Sequence, residues 1–143
     1  MIRPAVCLLL ACLLAACAGL PQPASDDGLY RQLGGREGIS AIVEEMLVRL
    51  VEDERIAHHF AQTDIIQLHE RLVEQFCVEA GGPCTYRGLS MEDAHIGLDL
   101  TEADFNALVE DLVDAMEALE VPTRAQNRLL RRLAPMRPQI IHR

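Results

Sequence analysis

From Asp27 onward the apolar residues recur at steps of three and four, and no stretch alternates convincingly at every second position. Ile39, Ile42, Val43, Met46, Leu47 and Leu50 form one such series. Ile65, Leu68, Leu72, Phe76 and Cys77 form another, and Phe105, Leu108, Val109, Leu112, Val113, Met116 and Leu119 a third. Spacing of this kind lines apolar side chains along one stripe of a helix, so the fold expected is all-α. Punctuation divides the chain. Gly34-Gly35 stops a short first helix near Leu33, Gly81-Gly82-Pro83 ends the helix that Thr63 or Asp64 caps, and Pro122 separates the helix opened by Thr101 from a last one holding Leu129, Leu130 and Leu133. Residues 53–60 read as a turn or short helix, and 84–100 as the irregular part, with a short turn around 90–95. Five or six helices in one domain are expected.

The first residues read differently. Met1 to Ala16 carries one early charge, Arg3, and the uncharged run from Pro4 to Gly19 is too short for a comfortable transmembrane helix. It has the layout of a secretory signal, and its end, Leu14-Ala15-Ala16-Cys17, resembles a bacterial lipobox. That resemblance implies cleavage before Cys17 and lipid on Cys17; an ordinary signal with an incidental cysteine is the alternative. The division expected is a signal peptide over 1–16, a lipidated flexible tether over 17–27 and a folded domain over 28–143. The protein would then be an exported bacterial lipoprotein, membrane-anchored and facing the periplasm or cell exterior. Cys77 and Cys84 remain in the folded part, and an even pair in an exported chain favours a disulfide. Two reduced thiols, or one buried as a small hydrophobe, are the alternative.

Net charge is −9 and aromatics are 3% with no Trp, so base-stacking platforms are not expected; an acidic domain of this kind repels phosphate backbones and anionic lipid, and nucleic acid is a poor partner. No phosphate loop, G-x-S-x-G or H-E-x-x-H occurs. The acids are expected on solvated outer faces of helices. His142 is expected to be disordered, His58 and His59 to point in different directions, and His69, about 100° round its helix from Leu68, to face solvent. His95 stands apart, four residues past Met91 and shortly before the longest apolar helix. Alone, such a histidine is more often a hydrogen-bonded core residue than a ligand.

Its surroundings point to a ligand. Leu29-Tyr30-Arg31-Gln32-Leu33-Gly34-Gly35, Phe60 with Thr63-Asp64, Gly81-Gly82-Pro83, Tyr86-x-Gly88-x-x-Met91-x-x-x-His95, Ile96-Gly97-Leu98-x-x-Thr101-x-x-x-Phe105 and Val121-Pro122 follow in order. Together they resemble a group 1 truncated haemoglobin, from about Leu29 to Pro135. The resemblance implies a two-over-two helical sandwich around haem b, with His95 as the proximal iron ligand and the sixth position left for a diatomic gas. It also assigns Phe60 to the haem face, Leu68, Leu72 and Phe76 to the distal side, and Arg71 to a propionate, a free surface arginine being the alternative. Tyr86 and Met91 would adjoin the cofactor, and Phe105, Leu108, Val109 and Leu112 would form apolar walls beneath it.

Two departures bear on function. Leu47 stands where the family usually has a tyrosine that donates to bound oxygen, and Leu72 replaces the usual polar partner, often Gln, with Leu68 at the other distal position. A hydrogen bond to a charged acceptor is worth ~1.5–3 kcal/mol, so its loss weakens O2 by roughly ten- to a hundredfold. CO and NO suffer less. The expected function is binding of O2, NO or CO at a five-coordinate iron in an apolar pocket. Nitric oxide dioxygenation, which needs O2 and an electron donor, is disfavoured. A haem-free helical lipoprotein acting as an interaction module is the alternative, and six-coordinate electron-transfer haem with His69 is a third reading.

Overall fold

Gly34 and Gly35 take left-handed φ values of 83° and 67°, and there the chain reverses between its first two helices. The computed structural model describes residues 27–143, so the expected leader, tether and Cys17 lie outside the described residues. The helices are α1 (Asp27–Gln32), α2 (Gly35–Glu52), α3 (Ile65–Glu79), α4 (Met91–His95), α5 (Glu102–Ala118) and α6 (Thr123–Leu133). A 3-10 turn, Ala57–Phe60, precedes α3, and a second 3-10 segment, Ala134–Gln139, continues α6. No strand occurs among the described residues.

α2 packs on both α3 and α5, and α6 packs on the same two helices, which makes two helical pairs laid one over the other. The apolar stripes read from the sequence meet between them. Ile39, Ile42, Met46 and Leu50 of α2 bury against Phe76 and Cys77 of α3, Leu112 and Met116 of α5, and Leu129 of α6. α1 lies along α2 and α6, and its Tyr30 N–H donates to the Ala80 carbonyl at the end of α3 (3.1 Å).

α3, α4 and α5 each begin where a side chain takes an orphan N–H. Asp64, rather than Thr63, caps α3 by accepting from the Gln67 amide at 3.0 Å. Ser90 does the same for α4 through the Asp93 amide, at 3.1 Å. Thr101 and Asp104 cap α5 reciprocally: the Asp104 amide donates to Thr101 Oγ1 at 3.2 Å, and the Thr101 amide donates to Asp104 Oδ2 at 2.8 Å.

Between α3 and α4 the chain is irregular, and α3 holds it. Cys77 and Cys84 are bridged, with Cα atoms 5.9 Å apart. Gly82 sits so close that a Cβ there would lie 2.6 Å from Cys77 Sγ. Glu74 is buried on α3 and gathers Arg71 Nη1 (2.8 Å), the Arg87 amide (3.0 Å) and Arg87 Nη1 (2.9 Å). Burial opposes ionisation of Glu74, but the Arg87 amide bond and the two guanidinium charges outweigh it and hold the carboxyl below the ordinary range.

Removing the cap in Thr101→Ala is expected to lower stability to urea by about 1 kcal/mol without changing the slope of the transition. The lowered carboxyl of Glu74 stabilises the fold fully above the unfolded value of about 4.3 and progressively less as pH falls through the folded one. Glu74→Gln should therefore lower stability at neutral pH, flatten that part of the acid limb, and speed amide exchange at Arg87. An unaltered acid limb in urea titrations across pH would contradict this account.

Candidate functional site

His95 closes α4, and its ring is set from within its own turn. Nδ1 lies 2.6 Å from the Met91 carbonyl oxygen. A carbonyl only accepts, so Nδ1 carries a proton, and in the neutral ring Nε2 is then the nitrogen with the lone pair. A histidine steered this way through one nitrogen is prepared to bind a metal through the other. Among the described residues no group of three or more His, Cys, Asp or Glu could hold a metal ion. A metal on Nε2 must therefore bring its other ligands with it, as the ring of a haem does. The surroundings suit a flat apolar group. Leu89 is 63% exposed, Ile96 68% and Leu98 43%, an uncovered apolar surface on both sides of His95 in the chain.

Leu68, Leu72 and Gln75, at positions i, i+4 and i+7, share one face of α3, and Gln75 reaches Met91 at the base of α4. Gln75 is buried, and its Nε2 donates to both Met91 Sδ and Met136 Sδ at 3.2 Å. Those residues, with Val78, Glu79 and Tyr86, line a cavity of about 220 Å³. Tyr86 donates its hydroxyl to the Leu89 carbonyl at 2.8 Å, and burial pushes its phenol pKa up, so it stays protonated. Leu68 and Leu72 continue the same α3 face, half-buried against the core edge, as does Phe60 at the end of its 3-10 turn.

Of the other residues singled out from the sequence, Leu47, Phe76 and Leu112 are buried in the central core cluster. Phe105 is half-buried beneath the Arg137 guanidinium, whose carbon lies 5.8 Å from the ring centroid. Arg71 is not a free surface arginine: it pairs with Glu74 at 2.8 Å and with Glu70 at 3.4 Å. Gln75 and Met136 were not anticipated. The signal for Gln75 was its place in step with Leu68 and Leu72, a polar residue on an otherwise apolar face. Met136 lies far along the chain and had no such signal.

Several expectations are corrected. His69 does not face solvent; it is half-buried, with Nε2 3.2 Å from the Ser40 carbonyl oxygen and 3.4 Å from Ser40 Oγ. His58 and His59 do not diverge, because the 3-10 turn brings their rings together with centroids 4.0 Å apart. His142 is ordered, its amide donating to the Leu100 carbonyl at 2.9 Å. Nor are all acids on outer faces: Glu74 and Asp111 are buried, and Asp111 Oδ2 has no partner. Burial, with the Asp53 charge adding to it, pushes the Asp111 carboxyl up.

The family of bacterial-like globins matches residues 28–142. A group 1 truncated haemoglobin of Mycolicibacterium paratuberculosis is 34% identical over 119 residues, covering 83% of this chain and 85% of its own. One from Nostoc commune is 30% identical over 115 residues, covering 80% of this chain and 98% of its own. Among solved structures, the truncated haemoglobin of Tetrahymena pyriformis in its Fe(III) form superposes with a TM-score of 0.78 at 27% identity, covering 80% of this chain and 98% of that one. The 2/2 haemoglobin of a Synechococcus species, in the cyanomet state with covalently attached haem, gives 0.75 at 26% identity over the same shares. The helical sandwich, the steered histidine and these likenesses agree, and the chain belongs to the group 1 truncated haemoglobins.

Proposed function

We propose that the domain holds one haem b through Nε2 of His95 and takes a diatomic gas, O2, NO or CO, on the opposite side of the ring. The observation that carries this reading is the 2.6 Å contact of His95 Nδ1 with the Met91 carbonyl, which leaves Nε2 as the ring's only free donor atom. Haem supplies an iron with a position for the gas, and the protein supplies the rest. Met91 and Gln75 fix the turn that bears His95, while Leu89, Ile96 and Leu98 offer apolar cover. Arg71 is the proposed propionate partner, shared with Glu74, to which it is already bonded. A haem-free interaction module would have no use for a histidine held with one nitrogen committed and the other open.

The gas side is built from Leu47, Leu68 and Leu72, none of which can donate a hydrogen bond or coordinate iron. His69 is engaged with Ser40 on α2. Both facts favour a five-coordinate iron over one ligated by protein on both sides. An apolar gas side suits CO and NO better than it suits O2, so tight oxygen storage and efficient nitric oxide dioxygenation are disfavoured. Export with a lipid on Cys17 completes the reading, and places any electron donor outside the cytoplasm.

His95→Ala is expected to abolish the Soret band of purified protein, or to leave haem that an excess of apo-myoglobin strips within minutes. A spectrum identical to the parent's would remove His95 from the iron. Leu47→Tyr adds one O–H donor on the gas side and should slow O2 release by roughly ten- to a hundredfold, with CO release changed much less. Stopped flow separates this from simple obstruction, which would slow entry of both gases alike.

A further inference from the structure

The net charge of −9 conceals a strong segregation. From Val121 to the end the chain carries six arginines and no Asp or Glu, while all 22 acids lie before it. Four of the six are on α6, at Arg124, Arg128, Arg131 and Arg132. At about 100° per residue, Arg124, Arg128 and Arg131 fall within roughly 60° of one another. The face opposite them, with Ala125 and Leu129, is buried in the core. Arg124 and Arg131 are exposed and make no ion pair among the described residues, and Arg128 reaches only the Gln32 side-chain oxygen, at 3.3 Å. By contrast Arg137 and Arg143 are occupied by Glu102 and Glu92. Arg124, Arg128 and Arg131 thus form a ridge of cations with no counter-charge among the described residues.

We infer that this ridge docks the domain on an anionic phospholipid surface. Charge complementarity is one argument, since each arginine near such a surface adds attraction that salt weakens. The course of the chain is the other. α1 lies against α6, with Gln32 on Arg128, and α1 spans only about 9 Å, so the chain enters the domain beside the ridge. Nine residues lie between Cys17 and Asp27, and the ten steps of chain reach at most ~36 Å when extended. An anchor at Cys17 would hold the ridge within reach of the bilayer. No helix among the described residues is long and apolar enough to cross a membrane, so the contact is one of surface.

The docking does not depend on the lipid, and is tested without it, in a chain begun at Ala18. That chain retains every core residue, and the Tetrahymena structure, 98% covered by the match, is a protein of little more than this domain. In low salt it should bind phosphatidylglycerol vesicles at least about tenfold more tightly than phosphatidylcholine vesicles, and lose the difference in 0.5 M salt. Arg124→Gln, Arg128→Gln and Arg131→Gln together should remove at least about tenfold of that affinity. Arg36→Gln with Arg55→Gln, elsewhere on the domain, should leave it unchanged. If the triple variant is misfolded by circular dichroism, the lipid preference and salt dependence of the parent decide. Equal binding to both kinds of vesicle overturns the inference. So does failure to bind the anionic ones, which would leave an acidic protein as the partner this ridge fits.

Discussion

The bond from His95 Nδ1 to the Met91 carbonyl holds only while α4 keeps its place, and α4 is five residues long, too short to persist by itself. Its stability is borrowed. Ser90 caps its first turn, Gln75 grips Met91 from α3, and the 3-10 segment after α6 packs against it, with Met136 completing the sulfur pair. The last residues close the far side, where the Gly97 and Asp99 amides both donate to the Arg143 carbonyl, at 2.9 and 3.2 Å. The nitrogen proposed to bind iron is thus aimed by contacts drawn from α3, the loop after it and the end of the chain.

α3 is the common element in this support. Within one turn it contributes Glu74 to Arg87, Gln75 to Met91 and Cys77 to Cys84, three different bonds to the segment that leads to His95. Leu68 and Leu72 lie on the same helix and, in the proposed reading, face the gas. Any shift of α3 that moved one set would move the other, because packed helices move as rigid bodies. Gas-side shape and histidine aim are therefore linked through a single helix.

Helix order, boundaries and the core face were legible in the sequence because glycine, proline and capping residues act locally. Asp64 against Thr63 was the only open choice of cap, and the Gln67 amide settles it. His95 stood out only through the resemblance carried by Tyr86-x-Gly88-x-x-Met91-x-x-x-His95; taken alone it read as a core histidine. What escaped was every polar group whose partner is distant in the chain. Glu74 could be matched to Arg71 by helical spacing, but not to Arg87 across an irregular loop. His69 was set in water by its angle from Leu68, yet a wheel drawn for one helix says nothing of how wide an arc its neighbours cover. α2 covers that flank, and Ser40 meets the ring.

Charge order was missed for a related reason, since an average carries no position. The arginines of α6 do little for the helix that bears them. Arg124 sits in the first turn, where the helix dipole disfavours a cation, and only Arg131 and Arg132 lie at the favourable end. Arg124 with Arg128, and Arg128 with Arg131, are like-charge pairs at four- and three-residue spacing, each unfavourable by about 0.2–0.5 kcal/mol. Glutamine at any of the three would relieve that repulsion at almost no loss of helix propensity. A pattern that works slightly against its own helix, at three arginines that make no ion pair among the described residues, finds its compensation in a surface outside the domain.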